Sequence, residues 1–398
     1  MARLSPVLRD TLPEHERRFY DAVRAIRRSP VSGPFIVTLN SSPDLAARIA
    51  HLGHFFHARG QGDESIVPIR ARSFISLIGS RALDAPYEWS AWVNWSLEAG
   101  IPQETVDAIR EGRTPSKLTA EETLINDFCS QLISGNHRVS EATYRAALER
   151  YGTQGLVELV VTLGYFALIA LPLNAFESEM TAEQLRKRKP FAPLVVGERP
   201  TVERADVPGL SGRKSVARLP LLAGHDDVPP QHQHFLDRVV RTRGWVAPAF
   251  QVLLHTPDVA ERIAHIGAFL LYEGILPPAV RALVGLIAAR ELDCDYVWAA
   301  CVGPARAAKV DDGLIDALEK GKLPGGLDQQ HRVLLDFCRQ LLRGNHHVSE
   351  TTYQAAVAAF GVSATVQIAV TLGYFVMMGV VVNAFEVPPA GDDSRPAL

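Results

Sequence analysis

Residues 159–177 read LVVTLGYFALIALPLNAFE, and residues 368–386 read IAVTLGYFVMMGVVVNAFE. The shared TLGYF (162–166, 371–375) and NAFE (174–177, 383–386) are each separated by 209 residues. DFC (127–129, 336–338) and Gly-Asn-His (135–137, 344–346) keep the same spacing, so the register holds from about Glu64/Glu273 to Glu177/Glu386. Farther upstream, PDLAARIAHLG (43–53) matches PDVAERIAHIG (257–267) at a spacing of 214, the first copy having five extra residues around Gly60–Ser65. The starts correspond too, ARLSPVL (2–8) with ARLPLLA (217–223). Self-similarity at a fixed period means one structural unit used twice. The division is 1–177, a connector 178–215, and 216–398. The connector is rich in charge, Pro and Gly, as a solvated linker is.

Each copy reads as helical. Arg72–Ala82 puts Phe74, Ile75, Leu77 and Ile78 on one face. Pro86 opens a helix that runs through Glu98 to Gly100. Thr119 with Glu122 is a capping box. Ser140-Glu141 and Ser349-Glu350 open further helices that lead into TLGYF. Strand-like alternation is scarce, so the expected fold is all-α: two helical bundles related by an approximate twofold. Leu159–Leu173 and Ile368–Val382 are apolar over 15 residues each, about 22 Å of helix, short of a ~30 Å hydrocarbon core. They predict buried helices and no membrane partner.

Composition narrows the function. The 398 residues carry 41 Lys+Arg against 44 Asp+Glu, a net charge of −3, which leaves no basic excess to hold nucleic acid. The four cysteines (Cys129, Cys294, Cys301, Cys338) form no CxxC pair and no zinc spacing. So few thiols, with no apolar leader at the N-terminus, predict a reduced, cytoplasmic setting. His51, His54 and His57 recur every three residues, but no acid at matching spacing completes a metal site. No GxGxxG or P-loop is present either. The expectation is an activity without metal or cofactor.

One run carries a family resemblance: LPPAVRALVGLIAARELDCDYVWAACVGPARAAKV (276–310) and its counterpart VPIRARSFISLIGSRALDAPYEWSAWVNWSLEAGI (67–101). It resembles the carboxymuconolactone decarboxylase family, which includes the AhpD-like alkylhydroperoxidases. The pattern there is Leu-Pro-x-x-x-Arg-Glu-Leu, a helix, then Tyr-Glu-Trp-x-x-His. The resemblance covers both copies nearly end to end and implies tandem AhpD-like helical bundles. It also implies a Glu and a His as the proton-transfer pair. Here the Glu position is Ser73 and Ala282, and the His position is Trp92 and Cys301. The Arg survives as Arg72 and Arg281, the Tyr as Tyr87 and Tyr296, the Trp as Trp89 and Trp298. The middle Glu is Glu88 in the first copy and Val297 in the second.

These departures set the expectations. Cys301, in the histidine position, with Tyr296 and Arg281, is the expected catalytic group of a pocket in the second copy. Tyr87, Glu88, Trp92, Arg72, Trp298 and His265 are the expected substrate-binding residues. Arginine suits a substrate carboxylate because its fork grips both oxygens. A tyrosine phenol can donate to a developing enolate oxygen. The implied function is a cofactor-independent lyase, decarboxylase, isomerase or hydratase acting on a small cyclic or carboxylated enol or lactone. A binding or scaffold protein with degenerate sites is one alternative; a thiol peroxidase using Cys301 and Cys294 is another. Family members commonly form rings of three dimers. A covalent tandem therefore predicts a homo-oligomer, with a homotrimer favoured.

Overall fold

The computed structural model describes residues 2–27, 31–57, 65–197, 210, 212, 216–322 and 327–390. Among them are eighteen α-helices and no strand, so the chain is all-α. Most of the five-residue insertion near Gly60–Ser65, and the later half of the connector, lie outside the described residues.

Matching sequence gives matching elements. The segment after the Leu-Pro-like turn forms helix Ile69–Ala82 in the first copy and Pro278–Glu291 in the second. The next helices are Pro86–Glu98 and Asp295–Ala307. Both Thr119 and Glu122 make their capping-box bonds. Ser140 and Ser349 cap their helices by accepting from the Thr143 and Thr352 amides. Helix Glu141–Ala175 breaks at Gly152 (φ 64°), and Gly361 (φ 79°) separates Glu350–Phe360 from Val362–Ala384 at the equivalent place. A positive φ without strain is what glycine permits.

The repeated NAFE has a mechanical role. Asn174 Nδ2 donates to the Leu83 carbonyl (2.8 Å) and Asn383 Nδ2 to that of Leu292 (2.9 Å), tying the apolar helix to its neighbour. The Ala and Glu of the motif hold an arginine from the start of each copy. Arg3 Nη1 donates to Ala175 O and pairs with Glu177, while Arg218 does the same with Ala384 O and Glu386. Each arginine also reaches across to the other copy, Arg3 to Val348 O (3.0 Å) and Arg218 to Val139 O (2.9 Å). A second reciprocal pair joins the copies elsewhere: Arg48 Nη1 donates to His265 O and Arg262 Nη1 to His51 O. Two facing copies of one unit make contacts of this kind.

At the centre the two apolar helices cross with their backbones nearly touching. A methyl group on Gly373 would lie 2.8 Å from Leu168 Cα, and one on Gly164 would lie 2.9 Å from Met377 Cγ. Helices Glu141–Ala175 and Val362–Ala384 are longer than the 15-residue runs predicted, and by length and composition each is able to cross a membrane. The length argument therefore fails. Burial replaces it, because the apolar window of each helix is wholly enclosed by the fold.

The connector differs from a free linker. Its start forms the capped helix Ala182–Arg186 and then lies along Pro86–Glu98. Arg188 Nη1 donates to Ala91 O (3.0 Å), Asn94 Nδ2 to Lys189 O (3.2 Å) and Trp89 Nε1 to Ala192 O (3.0 Å). Three bonds from one helix give this segment a fixed path, and that path roofs a cavity.

Candidate functional site

The cavity under the connector has a volume of about 940 Å3 and belongs to the first copy. Five separate stretches supply its chemistry. Helix Pro86–Glu98 contributes Tyr87, Glu88 and Trp95; helix Pro43–His57 contributes His54 and His57. Arg27 closes the helix Glu14–Arg27, Tyr165 comes from the TLGYF helix, and Arg188 enters from the connector.

Glu88 is the central group. It is only 3% exposed, and burial raises its carboxyl from 4.5 to about 7 against the opposing pull of Arg27, a hydrogen bond from the Trp92 indole, and Arg188. A carboxyl that titrates near neutrality moves protons in either direction at working pH. His57 is tuned the other way. Burial, with Arg27 adding to it, holds its imidazole well below the usual 6.5, so the ring is neutral. Its Nδ1 lies 2.6 Å from the Gly53 carbonyl, which places the ring proton there and leaves Nε2 with a free lone pair. The His57 ring packs 5.1 Å from Trp92 and 5.9 Å from Trp95. Trp92 thus touches both proton-carrying groups. The imidazole therefore comes to Trp92 from another helix.

Tyr87 and Tyr165 keep their phenol protons, because burial raises both from their ordinary value of 10. Gly33, at φ 58°, presses its backbone against the Tyr87 ring, a position no Cβ could share. Arg188 is held down from its ordinary value by burial, with Tyr87, Glu88 and Glu98 opposing that shift. The roof also brings Lys187 and Lys189, so cations stand on two sides of the chamber.

The second copy has a smaller cavity, about 400 Å3, at the corresponding place. Tyr296 lines it, its Oη accepting from the Ala249 amide (3.1 Å). Cys301 and Arg281 are not among the lining residues. Cys301 is 4% exposed and fills the space left by Gly285, and burial pushes its thiol up to about 12. Cys294 is likewise pushed up to about 12. Both are protonated at neutral pH, the inert state of a buried cysteine. The geometry therefore does not bring the three expected catalytic residues together.

The expected binding residues divide as well. Tyr87 and Glu88 line the first cavity, and Trp92 forms the packing behind it. Arg72 lies outside: it is 3% exposed and donates through Nη1 to Phe56 O (2.7 Å), anchoring the turn that carries His57. Trp298 is core. His265 serves the contact between copies through its carbonyl and lines neither cavity. His137 and His346, at positive φ, close their turns through Nδ1 to the Leu132 and Leu341 carbonyls. No group of three or more His, Cys, Asp or Glu suited to a metal occurs among the described residues.

Arg27, Tyr165 and Arg188 were not singled out from the sequence, and His57 was weighed there only as a metal ligand. A signal for His57 was present. Where the copies differ, the first has His54, His57, Glu88 and Trp95 against Ala268, Leu271, Val297 and Pro304 in the second. Every polar or ring-bearing partner falls in one copy.

Glu88 also burdens the fold, with a definite sign. Below about pH 4.5 the carboxyl is protonated in folded and unfolded chains alike and costs nothing. As pH rises toward 7 the unfolded chain ionises freely and the folded one does not, so stability falls, by about 3 kcal/mol once above that range. Glu88→Gln should therefore stabilise the chain by up to about 3 kcal/mol at pH 8 and by little at pH 4.5. Urea unfolding at the two pH values measures it; an equal gain at both would mean that the carboxyl is solvated.

Compared with known proteins, the chain matches no family model, and no curated protein or solved structure is significantly similar to it.

Proposed function

We propose that the first cavity is the working site of a cofactor-independent proton-transfer enzyme, of isomerase, lyase or decarboxylase type. Its substrate is a small, anionic, enolisable molecule such as a cyclic or lactone carboxylate. The observation that carries this reading is Glu88, a buried carboxyl titrating near 7 in a chamber bordered by Arg27 and Arg188. The volume lies within the range of small-molecule sites, ~300–1,000 Å3, at its upper end.

The chemistry follows from the charges. A guanidinium of Arg27 or Arg188 takes the substrate carboxylate. Ionised Glu88 removes a proton from carbon next to a carbonyl. The C–H electron pair becomes the enolate double bond, and the carbonyl pair moves onto oxygen. That oxygen meets phenol protons that burial has kept in place, a preorganised acceptor site for charge. Glu88, now the acid, returns the proton to a different carbon, and nothing is oxidised or reduced. Neutral His57 accepts a hydrogen bond at Nε2 from a substrate hydroxyl and orients it.

A library of cyclic and lactone carboxylates incubated in deuterated water, followed by NMR, tests the reading. Carbon-bound hydrogen should exchange in at least one member, with kcat/KM rising about tenfold per pH unit below 7 and levelling above it. A wild-type chain that exchanges none of them, or a rate flat across pH 5–8, would remove the proposal.

A further inference from the structure

The second cavity has lost proton chemistry but kept a charge. Leu271, Val297 and Pro304 stand where the first copy has His57, Glu88 and Trp95, and Trp245, Phe250 and Met378 add to the apolar wall. Arg243 borders this chamber. Its guanidinium lies 4.1 Å over the Phe250 ring, and Nη2 donates to Tyr374 Oη (2.8 Å). Its Nε is buried and bonded to nothing, and among the described residues no carboxylate pairs with the group. A cation at the wall of an otherwise apolar chamber is costly unless an anion joins it.

We propose that the second cavity is a binding site, without catalysis, for a small amphipathic monocarboxylate with a medium-length aliphatic chain or a single ring. The carboxylate accepts from the Arg243 guanidinium where it borders the chamber and from the Tyr374 hydroxyl, whose own proton is free because its oxygen already accepts from Arg243. The apolar body lies against Phe250, Leu271, Val297 and Met378. The charge count sets the class. One guanidinium balances one carboxylate, whereas a phosphate dianion would keep an uncompensated charge in an apolar chamber and a cation would be repelled. Size sets the limit, since about 400 Å3 is near the lower end of ligand cavities. This site stands or falls separately from whatever reaction the first cavity performs.

Calorimetric titration of the full chain with octanoate, and with octan-1-ol as the uncharged match, tests the site. An Arg27→Gln/Arg188→Gln background removes both guanidiniums of the first cavity from the reading. There, octanoate should bind once per chain, and adding Arg243→Gln should weaken it about 10- to 100-fold, to the level of octanol. Ala300 is exposed at the rim, so Ala300→Trp fills the chamber without touching the core and should abolish binding. Circular dichroism should show every variant folded. Failure of octanoate to bind the Arg27→Gln/Arg188→Gln chain, or undiminished binding after Arg243→Gln or Ala300→Trp, overturns the proposal.

Discussion

Glu88→Gln lowers turnover of the first cavity's substrate by about 10²- to 10⁴-fold, the range a positioned proton carrier contributes. Gln keeps the shape and the bond from Trp92 but cannot change its protonation state. The loss falls on kcat, because the arginines that hold the substrate are untouched. Cys301→Ser leaves turnover within about threefold of the parent, since that thiol is protonated at neutral pH, packs against Gly285 and lines neither cavity. Steady-state kinetics on the two variants decides between the copies. A silent Glu88→Gln beside a dead Cys301→Ser would move the working site to the second copy.

Gly373→Val costs at least about 4 kcal/mol of stability, among the largest effects a single residue can have. The first added carbon would already stand 2.8 Å from Leu168 Cα and 2.9 Å from two carbonyl oxygens. Those are backbone atoms of a helix buried on all sides, so relief requires moving the helix itself. Its counterpart behaves differently. Gly164→Ala meets Met377 Cγ at 2.9 Å and the Met377 Cα and carbonyl oxygen at 3.2 Å, a looser approach to backbone than at Gly373. Alanine's better helix propensity, about 1 kcal/mol, offsets much of that strain. Urea unfolding of both variants tests the asymmetry. A tolerated Gly373→Val would mean that the helices do not cross at this point.

The repeat, the helices and their caps were legible because each is written in residues close together in the chain. Thr119 lies three residues from Glu122, and TLGYF recurs at a constant spacing. The site was less legible because it is assembled from residues far apart. Glu88 was readable through its neighbours Tyr87 and Trp89, whereas Arg27, His57, Tyr165 and Arg188 come from four other segments that meet only on folding. Cys301 drew attention through the family resemblance alone, and its thiol packs against Gly285, where a Cβ would collide with it. The connector's composition read as solvated; its path is set by carbonyls that accept from Trp89 and Asn94, and carbonyls leave no mark in a sequence.

The crossing of the two apolar helices has a consequence in time. The first of them is complete at Ala175, while its partner spans Val362–Ala384. With copies 209 residues apart and synthesis at about 5–20 residues per second, the first helix waits roughly 10–40 s for the partner that covers it. Through that interval a hydrocarbon surface long enough to span a bilayer stands open on the nascent chain. The first half must therefore be shielded as it leaves the ribosome, and a gene cut at the connector should yield an insoluble amino-terminal product even though each half carries a complete set of helices.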